Sequence, residues 1–448
     1  MQQRSLTLPI QSSLKDQKDF KTFFISHMAQ HNLKVGGESR KKLVVIGGGA
    51  AGFFCAVNAA RLCPQLQVLI VEKTGKLLSK VKISGGGRCN VTHALFDIAE
   101  MGRRYPRGYN FVKKTFHRFF TTDTIEWFQK RGVAIVRESD GRMFPETNTS
   151  QTIVDCLLQE AHLYGVDIRL HAEVTSIQKQ DETFDLSFAD GKVEQAHYVC
   201  VASGGYPKST MFAWLQSLGH TIAQPVPSLF TFNLPKHPIT ALMGVSVPQA
   251  RVKIEGSKLV EEGPVLITHW GLSGPAVLRL SAWGARELVE KNYHFKAHIT
   301  WLPQYNDQTL KAHLQTIRKE HPAQKVANAT FAQLPNRLWL FLLEQSGVTG
   351  EVRWADLPAK VENALVRNLV DFVVEVKGKT TFKEEFVTAG GINLGEIDAN
   401  TMMSKKLQNL FFAGEVMDVD GVTGGFNFQH AWTSGWIAAG HISELACA

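Results

Sequence analysis

A short run of β-branched and aliphatic residues, Lys42-Leu-Val-Val-Ile46, ends in Gly47-Gly-Gly-Ala-Ala-Gly52 and leads into a helix-forming stretch from Phe53 to Leu62. Buried strand, glycine turn and helix, in that order, constrain the fold more than any other feature of the chain. In a Gly-x-Gly-x-x-Gly turn the first glycine (Gly47) permits the tight bend. The second (Gly49) lets a pyrophosphate approach the backbone, and the third (Gly52) lets helix and strand pack closely. Ala50 and Ala51 open the helix, where free N–H groups and the positive end of the dipole meet an anion. A second apolar run, Gln67-Val-Leu-Ile-Val71, completes a β-α-β unit. Glu72 and Lys73 follow it, and an acid about twenty residues past the last glycine is placed for the adenosine ribose hydroxyls. That acid argues against a 2′-phosphate in the same pocket.

Two later segments favour FAD over a nicotinamide dinucleotide. Val199-Cys-Val-Ala-Ser-Gly-Gly-Tyr206 reads as a strand ending in small residues, among them Ala202 and Gly204, and Asn409-Leu-Phe-Phe-Ala-Gly-Glu415 as a late strand ending in Gly414 and Glu415. Both resemble signatures of the two-dinucleotide-binding-domain flavoproteins. There the late Gly-acid pair meets the ribityl chain and a following helix N-terminus faces the flavin pyrimidine ring. Gly424-Gly425-Phe426-Asn427 fits that second place, with N–H groups able to stabilise negative charge on reduced flavin.

Ser84-Gly-Gly-Gly-Arg-Cys-Asn90 is a third motif. Gly86 and Gly87 let the backbone wrap an anion or a flat ring. Arg88 is a candidate for a phosphate or carboxylate, Cys89 for a thiol beside the flavin, and Asn90 for a ring edge. Val174, on the strand expected over 172–178, completes the expected cofactor contacts.

These motifs are similar to those of a bacterial family of FAD-dependent oxidoreductases that includes aminoacetone-oxidase-type and bile-acid-reductase-like flavoproteins. The resemblance also rests on Arg142-Met-Phe-Pro145, Thr268-His-Trp-Gly-Leu-Ser-Gly-Pro275, Thr388-Ala-Gly-Gly391 and Phe412-Ala-Gly-Glu-Val-Met-Asp-Val-Asp-Gly421. It implies FAD as cofactor and an α/β fold: a Rossmann-like FAD-binding domain interrupted by a β-rich, barrel-like insertion and a small helical subdomain. The corresponding segments are 41–210 and 380–448 for the FAD domain, 211–305 for the insertion and 306–379 for the helices. Residues 1–40 lie outside the motifs and read as a disordered extension, with Met28 as an alternative start. The resemblance implies no particular substrate.

Catalytic candidates are His269, as a general acid, and Asp420, which with Asp418 stands between the Gly-Glu and Gly-Gly segments. No second Gly-x-G-x-x-Gly pattern occurs, so NAD(P)H is expected to act transiently in the flavin cleft. The expected activity is hydride transfer between FAD and a small-molecule substrate. The alternatives are an amine oxidase that releases peroxide and a flavin-dependent protein that modifies or binds RNA.

The formal charge of +8 suits anionic partners in general. Its densest cluster (Arg103, Arg104, Arg107, Lys113, Lys114, Arg118) has no interleaved aromatic pattern of an RNA-binding motif and reads as a solvated face, which weighs against nucleic acid. The six cysteines form no C-x-x-C pair, so no metal site is expected and a reducing compartment is. No signal peptide or membrane span is legible, and the expected location is the cytoplasm.

Overall fold

The computed structural model describes residues 40–329, 334–380 and 387–448. The N-terminal extension, all but Arg40, lies outside the described residues. So do Phe331, the end of a helix that the periodicity predicts over 323–331, and Glu385 and Phe386, the head of a strand predicted over 385–391.

The first glycine turn forms as its sequence requires. Strand β1 (Lys42–Ile46) enters it, helix α1 (Ala50–Leu62) leaves it, and strand β2 (Gln67–Val71) returns beside β1. Three further strands, β3 (Asp167–Arg169), β4 (Tyr198–Val201) and β5 (Leu410–Phe412), extend a five-stranded sheet in the order β5-β4-β1-β2-β3. All its pairings are parallel, with Val45 beside both Ile70 and Cys200. Parallel sheets are covered on both faces, and residues 43–46, 68–71, 198–201 and 410–412 are accordingly buried.

The terminal helix α2 (Phe426–Cys447) packs along α1. Gly435 makes this possible, because a Cβ there would stand 2.7 Å from the Ala51 carbonyl oxygen. At the far end Cys63 and Cys447 are bridged by a disulfide, with Cα atoms 6.2 Å apart. Cysteine spacing alone does not anticipate this pairing, since the partners stand 384 residues apart, and the bridge runs against the reducing compartment expected from cysteine usage. The remaining cysteines are buried and free.

Residues 230–376 build a second apolar core around an antiparallel sheet. Its strands run in the order Phe372–Lys377, His294–Thr300, Ser246–Ile254, Val260–Thr268, Gly271–Ser273, Thr231–Asn233, Lys379–Thr380. The first and last strands in this order are separated in sequence by Gly378 alone. Six inter-strand steps would span roughly 29 Å in a flat sheet, whereas two residues of chain reach about 7 Å. The sheet must therefore curl on itself. Gly378 makes the closure, accepting from Asn233 N–H (3.1 Å) and donating to the Tyr293 carbonyl (2.9 Å).

The helices Asp307–Glu320, Asn336–Gln345 and Ala359–Val370 share this core instead of forming one of their own. Helical periodicity also predicts a helix over 323–331, and of its described residues, 323–329, only Val326–Asn328 form a 3-10 turn. Lys360 to Phe372 divides into a helix ending at Val370 and a strand beginning at Phe372.

One ion pair ties the two cores together. Asp420 is fully buried and paired with Arg107, whose side chain is 10% exposed. Arg107 also donates to the Ala282 carbonyl (2.6 Å), and Ser228 Oγ donates to Asp420 Oδ2 (2.8 Å). Asp420 thus joins Arg107 to Ser228, and Arg107 in turn holds the end of the helix Pro275–Trp283. Asp420→Ala would leave the guanidinium buried without its counter-ion, a loss of about 3–5 kcal/mol. Urea unfolding of variant and wild type should show that difference, and a change below ~1 kcal/mol would mean the pair does not hold the cores together.

Candidate functional site

A cavity of about 690 Å³ opens where the glycine motifs converge, within the range of pockets that enclose a whole ligand. Its floor is the first turn, Gly47, Gly49, Ala50 and Ala51, with Glu72 beside it. Gly86 and Asn90 supply a second wall, Ala202 and Gly204 a third, and Gly414, Glu415, Gly424, Gly425 and Asn427 a fourth. Leu229, packed against the first core, and Thr231, Ser273 and Leu278 from the second-core segments close it. Fourteen of the expected cofactor residues are therefore brought to one cavity.

The first-turn glycines divide by what surrounds them. A Cβ on Gly52 would lie 2.0 Å from the Gly47 carbonyl oxygen, and one on Gly47 2.4 Å from that of Ala202. Both positions are closed to any side chain. Gly49 has nothing within 4 Å and faces the open cavity. Glu72 is held in place: Oε2 accepts from Gly48 N–H (3.0 Å), and Oε1 from Thr74 N–H (2.9 Å) and Thr74 Oγ1 (2.8 Å).

The glycine-rich loop is partly helical, which the sequence reading did not anticipate. A helical turn begins at Ser79, then Ser84 leaves helical geometry, and Gly85 and Gly86 adopt φ of 60° and 71°. Asn90 locks this loop to the start of α2: with its amide satisfying both ends, it donates to the Thr92 carbonyl and accepts from Gly425 N–H, each at 3.0 Å. Asn427 braces the neighbouring turn through both atoms of Gly421, at 2.8 and 2.9 Å. Glu415 accepts from Thr388 N–H (2.8 Å) and pairs with Lys80 (2.6 Å).

Other expected site residues stand apart from the cavity lining. Gly52 and Phe426 are buried behind it, Lys73 is exposed, and Gly87 and Val174 lie outside it. Arg88 turns away to Glu138 (2.6 Å) and stacks on Phe144 (4.0 Å). Cys89 is fully buried, and burial pushes its thiol up to about 12. It is therefore a protonated core residue and not a thiolate.

Neither catalytic candidate reaches the cavity lining. His269 is exposed at the turn between Val260–Thr268 and Gly271–Ser273, edge-on to Trp270 at 4.2 Å. The hairpin formed by its own motif turns it outward, while Ser273 on the same motif faces the cavity. Asp420 is consumed by its pair with Arg107.

Two groups the sequence reading passed over do line the cavity. Ser203 Oγ is buried without a hydrogen-bond partner, and so are both ring nitrogens of His430. A histidine inside an apolar helix reads as core, so nothing in the pattern distinguished His430. Buried polar atoms left unpaired are costly, and these two point to a polar ligand in the space they face. The open Gly49, the free N–H groups of α1, the held Glu72 and the unpaired polar atoms together fit FAD. Among the described residues no cluster of His, Cys, Asp and Glu could hold a metal ion.

Comparison with known proteins agrees with this geometry. The profile of one family, described as the HI0933-like protein Rossmann domain, matches residues 41–441. A ribosomal RNA dihydrouridine synthase of Escherichia coli is 34% identical over 408 residues, covering 88% of this chain and 96% of that protein. A protein of the same name from Haemophilus influenzae is 31% identical, covering 90% and 98%. A 3-dehydro-bile acid delta(4,6)-reductase of Clostridium scindens is 27% identical, covering 90% and 99%.

Two measurements test the site. Gly49→Ala adds a methyl to open space and should cost the apoprotein at most about 1 kcal/mol, the difference between Gly and Ala at an N-cap, while weakening FAD binding at least tenfold. Gly52→Ala should destabilise the apoprotein itself. Equal FAD affinity for wild type and Gly49→Ala, by flavin fluorescence titration, would remove the pyrophosphate from this turn.

His430 supplies the second. Burial holds its imidazole down to about 4, below the unfolded value of ~6.5. The folded state therefore favours the neutral ring. Its contribution is complete above pH ~6.5 and is lost as pH falls towards 4, on the order of 3 kcal/mol in all. The stability gap between wild-type and His430→Phe apoprotein should change by that amount between pH 7 and 4. A constant gap in urea titrations would mean the ring is not buried as a neutral group.

Proposed function

The chain belongs to the HI0933-like family of Rossmann-domain proteins and is an FAD-dependent oxidoreductase, and we propose that it reduces a carbon–carbon double bond conjugated to a carbonyl, with uridine in ribosomal RNA as the substrate. The observation that carries this reading is the near full-length similarity to two proteins named ribosomal RNA dihydrouridine synthase, at 34% and 31% identity. Making dihydrouridine saturates the uracil C5=C6 bond, which is conjugated to the C4 carbonyl. The relative named as a bile-acid delta(4,6)-reductase also acts on double bonds that a 3-keto group would conjugate. The shared chemistry is conjugate reduction. The charge pattern alone weighs against nucleic acid, and the RNA reading is supported by the names of these two relatives.

FAD, when bound, supplies the hydride chemistry. The chain supplies its binding and the surroundings of the substrate. The N–H groups at the start of α1 would hold the pyrophosphate, and Glu72 the adenosine ribose. The N–H groups at the start of α2, which follows the Gly424-Gly425 turn, would stabilise negative charge at the pyrimidine end of the flavin. Arg142 is the guanidinium on the cavity wall, held by Asp140 (2.7 Å) and Glu138 (3.1 Å). We assign it to stabilise the charge that builds on the substrate carbonyl oxygen as the double bond is reduced. Leu229 and Leu278 exclude water from the side facing the second core. NAD(P)H acts as a transient reductant in the same cleft, and the setting is the cytoplasm, where ribosomal RNA resides. Among the described residues no helix is long and apolar enough to cross a membrane.

The direct test mixes purified holoprotein, NADPH or NADH, and unmodified ribosomal RNA transcribed in vitro under anaerobic conditions. Mass spectrometry of the nuclease digest should show a uridine gaining two hydrogens, with one nicotinamide oxidised per dihydrouridine. Rapid flavin bleaching without dihydrouridine, together with saturation of a steroidal enone, would move the substrate to the small-molecule class. Peroxide release driven by an amine, with no nicotinamide oxidation, would sink the reductase reading.

A further inference from the structure

Residues 101–122 contain no acidic residue. Arg107 is the one cation of this segment whose charge is used internally, by Asp420. Arg103, Arg104, Lys113, Lys114 and Arg118 are all exposed, and among the described residues no carboxylate forms an ion pair with any of them. Five unneutralised cations within sixteen residues concentrate positive potential on one stretch of surface.

That stretch adjoins the cavity. The Arg104 carbonyl accepts from Val422 N–H (2.9 Å), and Val422 lines the cavity. Gly108 lies against Val419, another lining residue, so closely that a Cβ on Gly108 would stand 2.7 Å from it. On its other side Gly108 lines an open groove of about 600 Å³. Tyr109, Asn110 and Lys114 form one wall of this groove, and Asn400 and Lys405 stand on the other. The groove's one carboxylate, Asp398, is engaged by Asn400 N–H at 2.9 Å. Asn400 Nδ2 also donates to Asp398 (3.1 Å) and Lys405 Nζ to the Gly395 carbonyl (3.0 Å), which leaves the Tyr109 ring for stacking, the Asn110 amide, the Lys114 ammonium and the remaining Lys405 N–H groups for a nucleotide and its phosphate.

We propose that the segment from Arg103 to Arg118, with the groove beside it, is the surface that holds single-stranded or looped RNA next to the flavin cavity. The inference rests on the RNA reading above and adds the residues that would select RNA over a free nucleoside. The cations track phosphates, and the groove takes a nucleotide flanking the target. Gly108 and Val419 form the partition between groove and cavity.

The experiment compares wild-type holoprotein with two quadruple variants. One carries Arg103→Ala, Arg104→Ala, Lys113→Ala and Lys114→Ala. The other carries Lys253→Ala, Lys258→Ala, Lys319→Ala and Lys360→Ala, four exposed lysines of the second core, and loses the same charge. Binding to in vitro transcribed ribosomal RNA is titrated from low to moderate salt. Each phosphate contact contributes about 0.7 to the log–log salt slope for a single strand. The first variant should therefore lose roughly 3 from the slope and bind at least tenfold more weakly at about 0.1 M salt. The second should bind like wild type. Flavin content and the rate of flavin reduction by NAD(P)H should be the same in all three proteins, which also shows that the variants fold. Equal slopes for wild type and the first variant would overturn the proposal, as would equal losses in both variants. If wild type binds the RNA through this segment but forms no dihydrouridine, the RNA-reductase reading fails while the surface stands. If it forms dihydrouridine and the first variant does so with unchanged affinity, the surface fails while the reading stands.

Discussion

The rest of the structure depends on a backbone contact with no room for a side chain. At the β1–α1 turn a Cβ on Gly52 would come within 2.0 Å of the Gly47 carbonyl. With hydrogen there instead, α1 settles directly against the parallel sheet and its first N–H groups turn into the cavity. The same closeness is passed outward. Gly435 lets α2 approach the first turn of α1, and a Cβ on Gly414 would stand 2.8 Å from the side chain of Ala51. Two helix N-termini from opposite ends of the sequence thereby border one cavity. Each glycine in this chain of contacts is fixed by what its Cβ would strike, and Gly49 by what its open side leaves room for.

The second constraint is electrostatic. Burying Arg107 and Asp420 costs desolvation that their attraction offsets only if the remaining donors and acceptors are satisfied. Ser228 and the Ala282 carbonyl satisfy them, and Ala282 lies at the end of the helix whose Ala276, Val277 and Leu280 belong to the second core. Arg286 and Asp418 add a more exposed pair at 2.9 Å across the same junction. The acids between the Gly-Glu and Gly-Gly motifs thus serve the geometry of the cavity. They fix the loop that carries Val419 and Val422 and, with it, the cavity wall.

This explains what was legible in the sequence. Contacts made by the backbone are visible as glycines at fixed spacing, so the Rossmann-like sheet, the first turn and most of the cavity lining could be read directly. The barrel-like insertion was legible through its family resemblance, but its closure rests on Gly378, a lone glycine with no motif around it. Side-chain direction was not legible. Arg88, Cys89 and His269 all belong to segments that build the site, yet each points away, because local geometry decides the direction: a φ of 62° at Cys89 and a hairpin turn at His269. Ser203 and His430 were missed for the converse reason. Their neighbours are apolar, and only the unpaired state of their polar atoms distinguishes them. The Cys63–Cys447 pairing needed the packing of α1 on α2, which no spacing rule contains.

The relatives' two named substrates, a base in RNA and a bile acid, need not imply two catalytic sites. Conjugate reduction asks for the same things in both cases: a hydride donor over a flat, polarised double bond, a charge partner for the carbonyl oxygen, and little water. FAD held in the cavity of about 690 Å³ would supply the first of these and the cavity walls the last, regardless of what the double bond is attached to. Discrimination then falls to the surroundings of the cavity, since phosphates beyond the target base can be read only by cations outside it. An uncompensated basic segment bonded through its backbone to the cavity wall would serve a polyanion and gain nothing from a compact steroid. The place to look for substrate identity in this chain is therefore the surface from Arg103 to Arg118, and not the flavin pocket whose motifs announce the fold.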